Sequence, residues 1–214
     1  MIMHPAPRLG LVALLALAGV ALLGASQARA AEKTVLCKTN QVPCVVGNQY
    51  TAGTEFKSTA TNTQLTTAQG NITCTSSKIT NKTTSTANNP VFGKITELVF
   101  ATCTWKGMVC SVSAINLEWV SAIEREAIPD GKLTFAGITG EPKLAFSCGV
   151  GTFKCTYGKF STKFAIHGGE PAETIFVATL GLLEKEGIVE CPATIAWNAN
   201  YGATSPTAVY VTKD

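Results

Sequence analysis

Lys94-Ile-Thr-Glu-Leu-Val-Phe-Ala-Thr-Cys-Thr-Trp105 runs in the two-residue rhythm of a β-strand. Ile95, Val99, Ala101, Cys103 and Trp105 share one parity; Thr96, Leu98, Phe100, Thr102 and Thr104 share the other. Apolar groups stand on both sides, which predicts a central strand covered on two faces.

Similar alternation extends outward. Ile115, Leu117, Trp119 and Ile123 keep one parity, as do Ile195, Trp197, Ala199 and Tyr201, each set interleaved with smaller or more polar residues. Threonine is abundant, which favours strand over helix. Turn signals fall between the runs: Asn88-Asn-Pro90, Pro129-Asp-Gly131, Gly140-Glu-Pro142, Gly168-Gly-Glu-Pro171 and the segment 202–206. Residues 115–127, ending in Glu124-Arg-Glu126, read as a strand running into the Pro-Asp-Gly turn. The expected fold is all-β, an antiparallel β-sandwich or barrel-like domain of many short strands. Residues 31–214 are expected to form a single domain, with any subdomain break near 88–91. The polar stretch 51–90 reads as a looser edge layer.

All eight cysteines lie beyond residue 30, and six share one spacing: Cys37/Cys44, Cys103/Cys110 and Cys148/Cys155, leaving Cys74 and Cys191. Residues flanking a two- or four-residue hairpin loop face each other at odd separations, and seven is odd. Cys148-Gly-Val-Gly-Thr-Phe-Lys-Cys155 centres on Gly151-Thr152, the glycine-first order of a type II′ turn, so a Cys148–Cys155 bridge is expected. A Cys37–Cys44 bridge is expected too, because Pro43 suits a short loop or sheet edge. The other four cysteines leave two solutions open. Either Cys103 joins Cys110 and Cys74 joins Cys191, or Cys74 joins Cys103 and Cys110 joins Cys191. Zinc sites favour closer cysteines with histidine nearby, and His167 is the only histidine beyond the first thirty residues. Disulfides formed in an oxidising compartment are therefore expected, with no metal and no cofactor.

The compartment is read from the N-terminus. Arg8 leads into an apolar run from Leu9 to Gly24, followed by the small-residue site Ala28-Arg-Ala30. This is the pattern of a secretory signal peptide at residues 1–30, with cleavage expected after Ala30. No cysteine sits there to take a lipid, and no second long apolar run or hydrophobic tail follows, so a secreted, extracellular protein without a transmembrane segment in its mature part is expected. A membrane barrel is disfavoured because aromatic girdles are missing.

Beyond residue 30 there are 15 basic and 14 acidic side chains, scattered singly. Such a balance offers no electrostatic footprint for nucleic acid. About 184 residues bury a sizeable core without needing bridges to compensate for small size. Catalytic patterns are scarce. A nucleophilic triad needs a histidine base, and His167 in Ile166-His-Gly-Gly169 reads as a turn-flanking surface residue. Glycine-rich phosphate loops are missing, and Asp130 and Asp214 are the only aspartates, which argues against a calcium loop. Glycosidase-type chemistry needs only two carboxyls, and Glu124/Glu126 or Glu184/Glu186 would share a strand face, although such pairs usually sit on a solvated face. Asn71-Ile-Thr73 and Asn81-Lys-Thr83 match the glycan-acceptor pattern and read otherwise as ordinary polar strand residues.

Leu36-Cys37 with Pro43-Cys44, the strand Ile72-Thr-Cys-Thr-Ser76, Cys191-Pro-Ala-Thr-Ile-Ala-Trp197 and the ending Tyr210-Val211 together give a layout that resembles uncharacterised secreted proteins of actinobacteria. The resemblance spans nearly all of the chain beyond the leader. It implies an extracellular bacterial setting and a β-rich, disulfide-bonded fold, and carries over no activity and no site residue. The expected role is non-enzymatic: binding of a cell-surface glycan, a partner protein or a second copy, with Trp105 and Trp119 as a platform where exposed. Alternatives are a secreted hydrolase using the paired glutamates, or a secreted inhibitor or effector presenting Thr152-Phe153 on a disulfide-closed hairpin.

Overall fold

The structure, a computed structural model, describes residues 32–136, 142–149, 153–160, 164–187 and 191–214. The expected signal peptide, residues 1–30, and the turn expected at Gly151-Thr152 lie outside these residues. In chain order the strands are β1 (Thr34–Cys37), β2 (Glu55–Thr67), β3 (Gly70–Thr83), β4 (Ala87–Asn88), β5 (Val91–Trp105), β6 (Met108–Ile115) and β7 (Trp119–Arg125). They continue with β8 (Gly131–Ala136), β9 (Lys143–Cys148), β10 (Phe153–Gly158), β11 (Phe164–His167), β12 (Glu173–Gly187), β13 (Thr194–Ser205) and β14 (Tyr210–Lys213). A 3₁₀ turn at Val46–Asn48 is the one helical element among the described residues.

The fold is a closed antiparallel barrel. Five strands in the order β5-β3-β2-β13-β12 form a continuous wall, and the remaining gap is closed twice. At one end β6, β9 and β10 bridge from β5 to β12; at the other end β7, β8 and β11 do so. Either level therefore has eight strands around it. Closure removes the exposed edges that a sheet of this size would otherwise present. The wall strands have 12 to 15 residues, and the other described strands are short, at two to eight.

The stretch 51–90 is no edge layer: it supplies β2 and β3, at the middle of the wall. Its low apolar content has a physical reason. Thr63 and Ser77, both buried, share a 2.6 Å hydroxyl hydrogen bond, and Ser77 Oγ donates to the buried Tyr201 hydroxyl at 2.7 Å. A polar network thus replaces apolar packing at this level.

In β5 the parity changes twice. Glu97 opposes Thr80 but Ile95 opposes Asn81, so Thr96 is an extra residue that turns Leu98 and Phe100 inward and leaves Val99 outside. Thr102, at φ 45°, flips the strand back so that Cys103 and Trp105 face the core. On the far side of β3, β2 turns over at the same level through Asn62, at φ 53°. Trp119 heads a strand separate from Ile115, because Asn116 and Glu118 at positive φ break the run between them.

Inside, Phe164, Phe176, Trp197 and Tyr201 pack ring on ring, with centroids 4.3 to 4.9 Å from Phe176. Below them β1, β14 and β4 form a three-stranded cap on the end bounded by β7, β8 and β11. Leu36 and Val211 join the barrel core, whereas Val35 and Cys37 face away and pack on Cys44.

Four disulfides are formed: Cys37–Cys44, Cys74–Cys103, Cys110–Cys148 and Cys155–Cys191. The expected Cys148–Cys155 bridge does not exist, and neither Cys110 nor Cys74 meets Cys191. The hairpin register explains this. Cys148 opposes Phe153, so Cys155 lies two residues off, beside Phe146. Cys148 instead faces Cys110 on its other side.

Candidate functional site

Outside the barrel, β-register aligns side chains into rows. Val177, Asn198, Gln64, Thr73, Thr104 and Val109 stand side by side across six strands. Thr179, Ala196, Thr66 and Asn71 form the adjacent row. Asn62, Thr75, Thr102 and Ser111 are exposed on the opposite flank. None of these residues is charged. The ionic side chains are gathered elsewhere on the wall, in the pairs Lys78–Glu97, Lys57–Glu55 and Lys82–Glu55, and on β9, β10 and β12, as Lys143–Glu184 and Lys154–Glu186.

The wall is dented at one place. Between Asn198 and Gly202 the pairing of β13 with β2 slips, opposite the left-handed Asn62. Bulges of this kind bend a strand and re-aim its side chains. The result is an open groove of about 370 Å³. Four carboxamides border it, from Asn62, Gln64, Asn198 and Asn200, together with the Thr61 hydroxyl; Ile175, Val177 and Ala199 add apolar surface. Asn200 Nδ2 donates to Glu173 Oε2 at 3.3 Å. The Asn62, Gln64 and Asn198 side chains make no hydrogen bond among the described residues, so their amides face solvent with donors and acceptors available. No titratable side chain lines the groove.

The residues singled out in the sequence lie elsewhere. Trp119 is buried, its Nε1 donating to Ile115 O at 2.9 Å, and Trp105 is buried edge-on to Phe153 at 5.6 Å. Neither forms an exposed platform. Phe153 is itself in the core, so it is not bait at a hairpin tip, and the disulfide that would close that hairpin is not made. Glu184 and Glu186 sit exposed on β12, each held by a lysine at 3.2 and 3.1 Å. Glu126 pairs with Lys132, and Glu124 lies opposite Lys132 in the strand register. His167 Nδ1 is 3.4 Å from Asp130 Oδ2, while Asp130 Oδ1 accepts from Gly168 N at 3.0 Å, which fixes the turn after β11. Asn81, partly buried, accepts a hydrogen bond from Ser121 Oγ at 2.9 Å and lines the barrel interior. Asn71 is exposed.

No three His, Cys, Asp or Glu side chains among the described residues are grouped to hold a metal ion, and no described helix is long and apolar enough to cross a membrane. The carboxamide groove was not legible in the sequence, because Asn62 meets Asn198 only through the pairing of β2 with β13. Compared with known protein families, curated proteins and solved structures, the chain matches none.

Proposed function

We propose that the protein is a secreted, non-enzymatic binding protein, exported by its leader of residues 1–30, that holds a neutral polysaccharide of a cell surface on its uncharged wall. The carboxamide groove between β12, β13 and β2 carries this reading. Amides that donate and accept match the paired donor and acceptor character of sugar hydroxyls. Apolar Ile175 and Val177 suit the carbon face of a sugar ring, and the lack of charge across the rows selects against anionic polymers. Rows on neighbouring strands repeat about every 4.8 Å, offering an extended chain several equivalent contacts. The four disulfides and the closed barrel suit a rigid scaffold in an oxidising space. The resemblance to secreted actinobacterial proteins read in the sequence supports a bacterial envelope as the target.

The test is a panel of neutral and anionic polysaccharides, measured by pull-down and calorimetry with the purified protein. Neutral polymers are expected to bind, and Asn62→Asp with Asn198→Asp to weaken that binding about tenfold, equivalent to about 1.4 kcal/mol. Binding that survives the double substitution unchanged, or a preference for anionic polymers, rejects the groove.

A further inference from the structure

The capped end of the barrel holds a second feature, unrelated to the outer groove. Every strand of the ring β5-β3-β2-β13-β12-β11-β8-β7 contributes to the lining of one internal cavity of about 70 Å³. Ile79, Ile95, Ile123, Leu133 and Ile166 supply its apolar walls. Phe176 closes it toward the aromatic layer, and Leu36, Val209 and Val211 of the cap segment close it from the other side. Small eight-stranded barrels either fill their interior with side chains or hold one small ligand there. This barrel does the first around Phe176 and leaves space below.

Three polar side chains interrupt the apolar lining: Ser58, Asn81 and Thr174. Asn81 Oδ1 is occupied by the Ser121 hydroxyl. Room for that contact exists because position 93 is glycine: a Cβ there would lie 2.5 Å from Asn81 Oδ1 and 2.8 Å from Ser121 Oγ. Asn81 Nδ2, Ser58 Oγ and Thr174 Oγ1 have no hydrogen-bond partner among the described residues. Polar groups at an apolar cavity are costly unless something satisfies them. No charged side chain lines the space, so an ion has nothing to meet.

We infer that this lumen is a binding site for a small uncharged amphiphile, an alcohol or ketone of a few carbons, whose hydrocarbon part packs on the isoleucines. Its oxygen bonds to the Ser58, Asn81 and Thr174 groups. On the cap side Val209 and Val211 are held to the barrel by backbone bonds to Gly169 and Pro129, and Thr207 and Ala208 of the same segment accept from Ala172 N and the Tyr50 hydroxyl.

Methyl-labelled protein titrated with 1-butanol, with xenon and with butylammonium tests the site. Saturable shifts at Ile79, Ile95 and Ile123 are expected for 1-butanol and xenon, and none for butylammonium. Ala203→Leu, which adds three carbons to the lining, is expected to abolish both responses. Ser58→Ala leaves the cavity open and should weaken 1-butanol at least threefold with xenon unchanged, a readout that holds if Ala203→Leu does not fold. Non-saturating shifts, butylammonium binding as well as butanol, or an unchanged butanol-to-xenon ratio in Ser58→Ala would each overturn the assignment. So would a crystal soaked in 1-butanol that keeps ordered water on all three polar groups.

Discussion

Cys103 and Cys110 face each other in direct register across β5 and β6, yet each is bonded away from the other, to Cys74 on β3 and Cys148 on β9. The four sulfurs thus belong to one row over four adjacent strands, all buried. A bond between Cys103 and Cys110 would close only the tight Lys106-Gly107 turn, whose positive φ angles already fix it. The outward bonds close longer loops, with separations of 29 and 38 residues. On the chain-entropy account these stabilise by about 3.5 to 4 kcal/mol each, against about 2.5 for the short loop.

This row makes a prediction about exchange. In Cys148→Ser the Cys110 thiolate stands opposite Cys103 and attacks its sulfur, forming Cys103–Cys110 and releasing Cys74 as thiolate. Peptide mapping without reduction should find the new pairing beside Cys74–Cys103 in the variant only. Finding Cys74–Cys103 alone after prolonged incubation at alkaline pH would contradict it.

Gly93→Ala is expected to destabilise by about 1 to 3 kcal/mol, the usual cost of forcing atoms into a filled interior. The added Cβ meets Asn81 Oδ1, Ser121 Oγ and, at 3.0 Å, the Lys82 carbonyl. Adding Asn81→Ala should recover part of the loss by clearing the nearest atom. Denaturant midpoints of the two single variants and the double variant measure the coupling; strict additivity would mean that the side chains are not in conflict.

Fold class was readable because alternation and turn residues are local properties. Ile195, Trp197 and Tyr201 are buried as their parity implied. What failed was anything set by pairing between distant strands. Parity alone groups Val99 with Ile95, yet Thr96 is inserted and Thr102 is turned over, and neither residue type announces a bulge. The recurring cysteine spacing implies bridges at Cys37/Cys44 and Cys148/Cys155 and leaves Cys103/Cys110 open; of the three, only Cys37–Cys44 is made. Sequence spacing reports the loop within a hairpin, whereas Cys110–Cys148 depends on β9 lying beside β6. The groove shares this origin, since Gln64 and Asn198 are brought together only by the pairing of β2 with β13.

Asp130→Ala is expected to loosen the turn after β11, because the Gly168 amide loses its acceptor and His167 its neighbour. The cost should be about 0.5 to 1.5 kcal/mol, the range for one hydrogen bond of this type. His167→Ala, which leaves the amide bond intact, should cost less. Thermal melts that rank the two variants in the opposite order would place the stabilising contact in the imidazole.

Alkaline pH provides a test of the interior. Burial raises the phenol pKa of Tyr157 and Tyr201 well above the ordinary value of about 10; in Tyr201 the Ser77 hydrogen bond opposes part of that rise. Tyr157 donates to Pro192 O at 2.8 Å, and that hydrogen bond needs the protonated phenol. A phenol whose pKa is higher folded than unfolded contributes stability that is complete below pH 10. That contribution is lost as pH rises from 10 through the folded value, because only the unfolded chain sheds its protons there. Unfolding free energy should therefore fall above pH 10, by up to about 1.4 kcal/mol per pH unit for each such tyrosine. Free thiols are lacking among the described residues, so disulfide exchange has no internal initiator in this range. Tyr157→Phe and Tyr201→Phe should each cost about 1 kcal/mol at pH 8, from the lost hydrogen bond, and each should make the slope above pH 10 shallower. Guanidinium unfolding at pH 8, 10 and 11 separates the two effects: a variant destabilised at pH 8 with the wild-type slope would show that its tyrosine ionises normally in the fold.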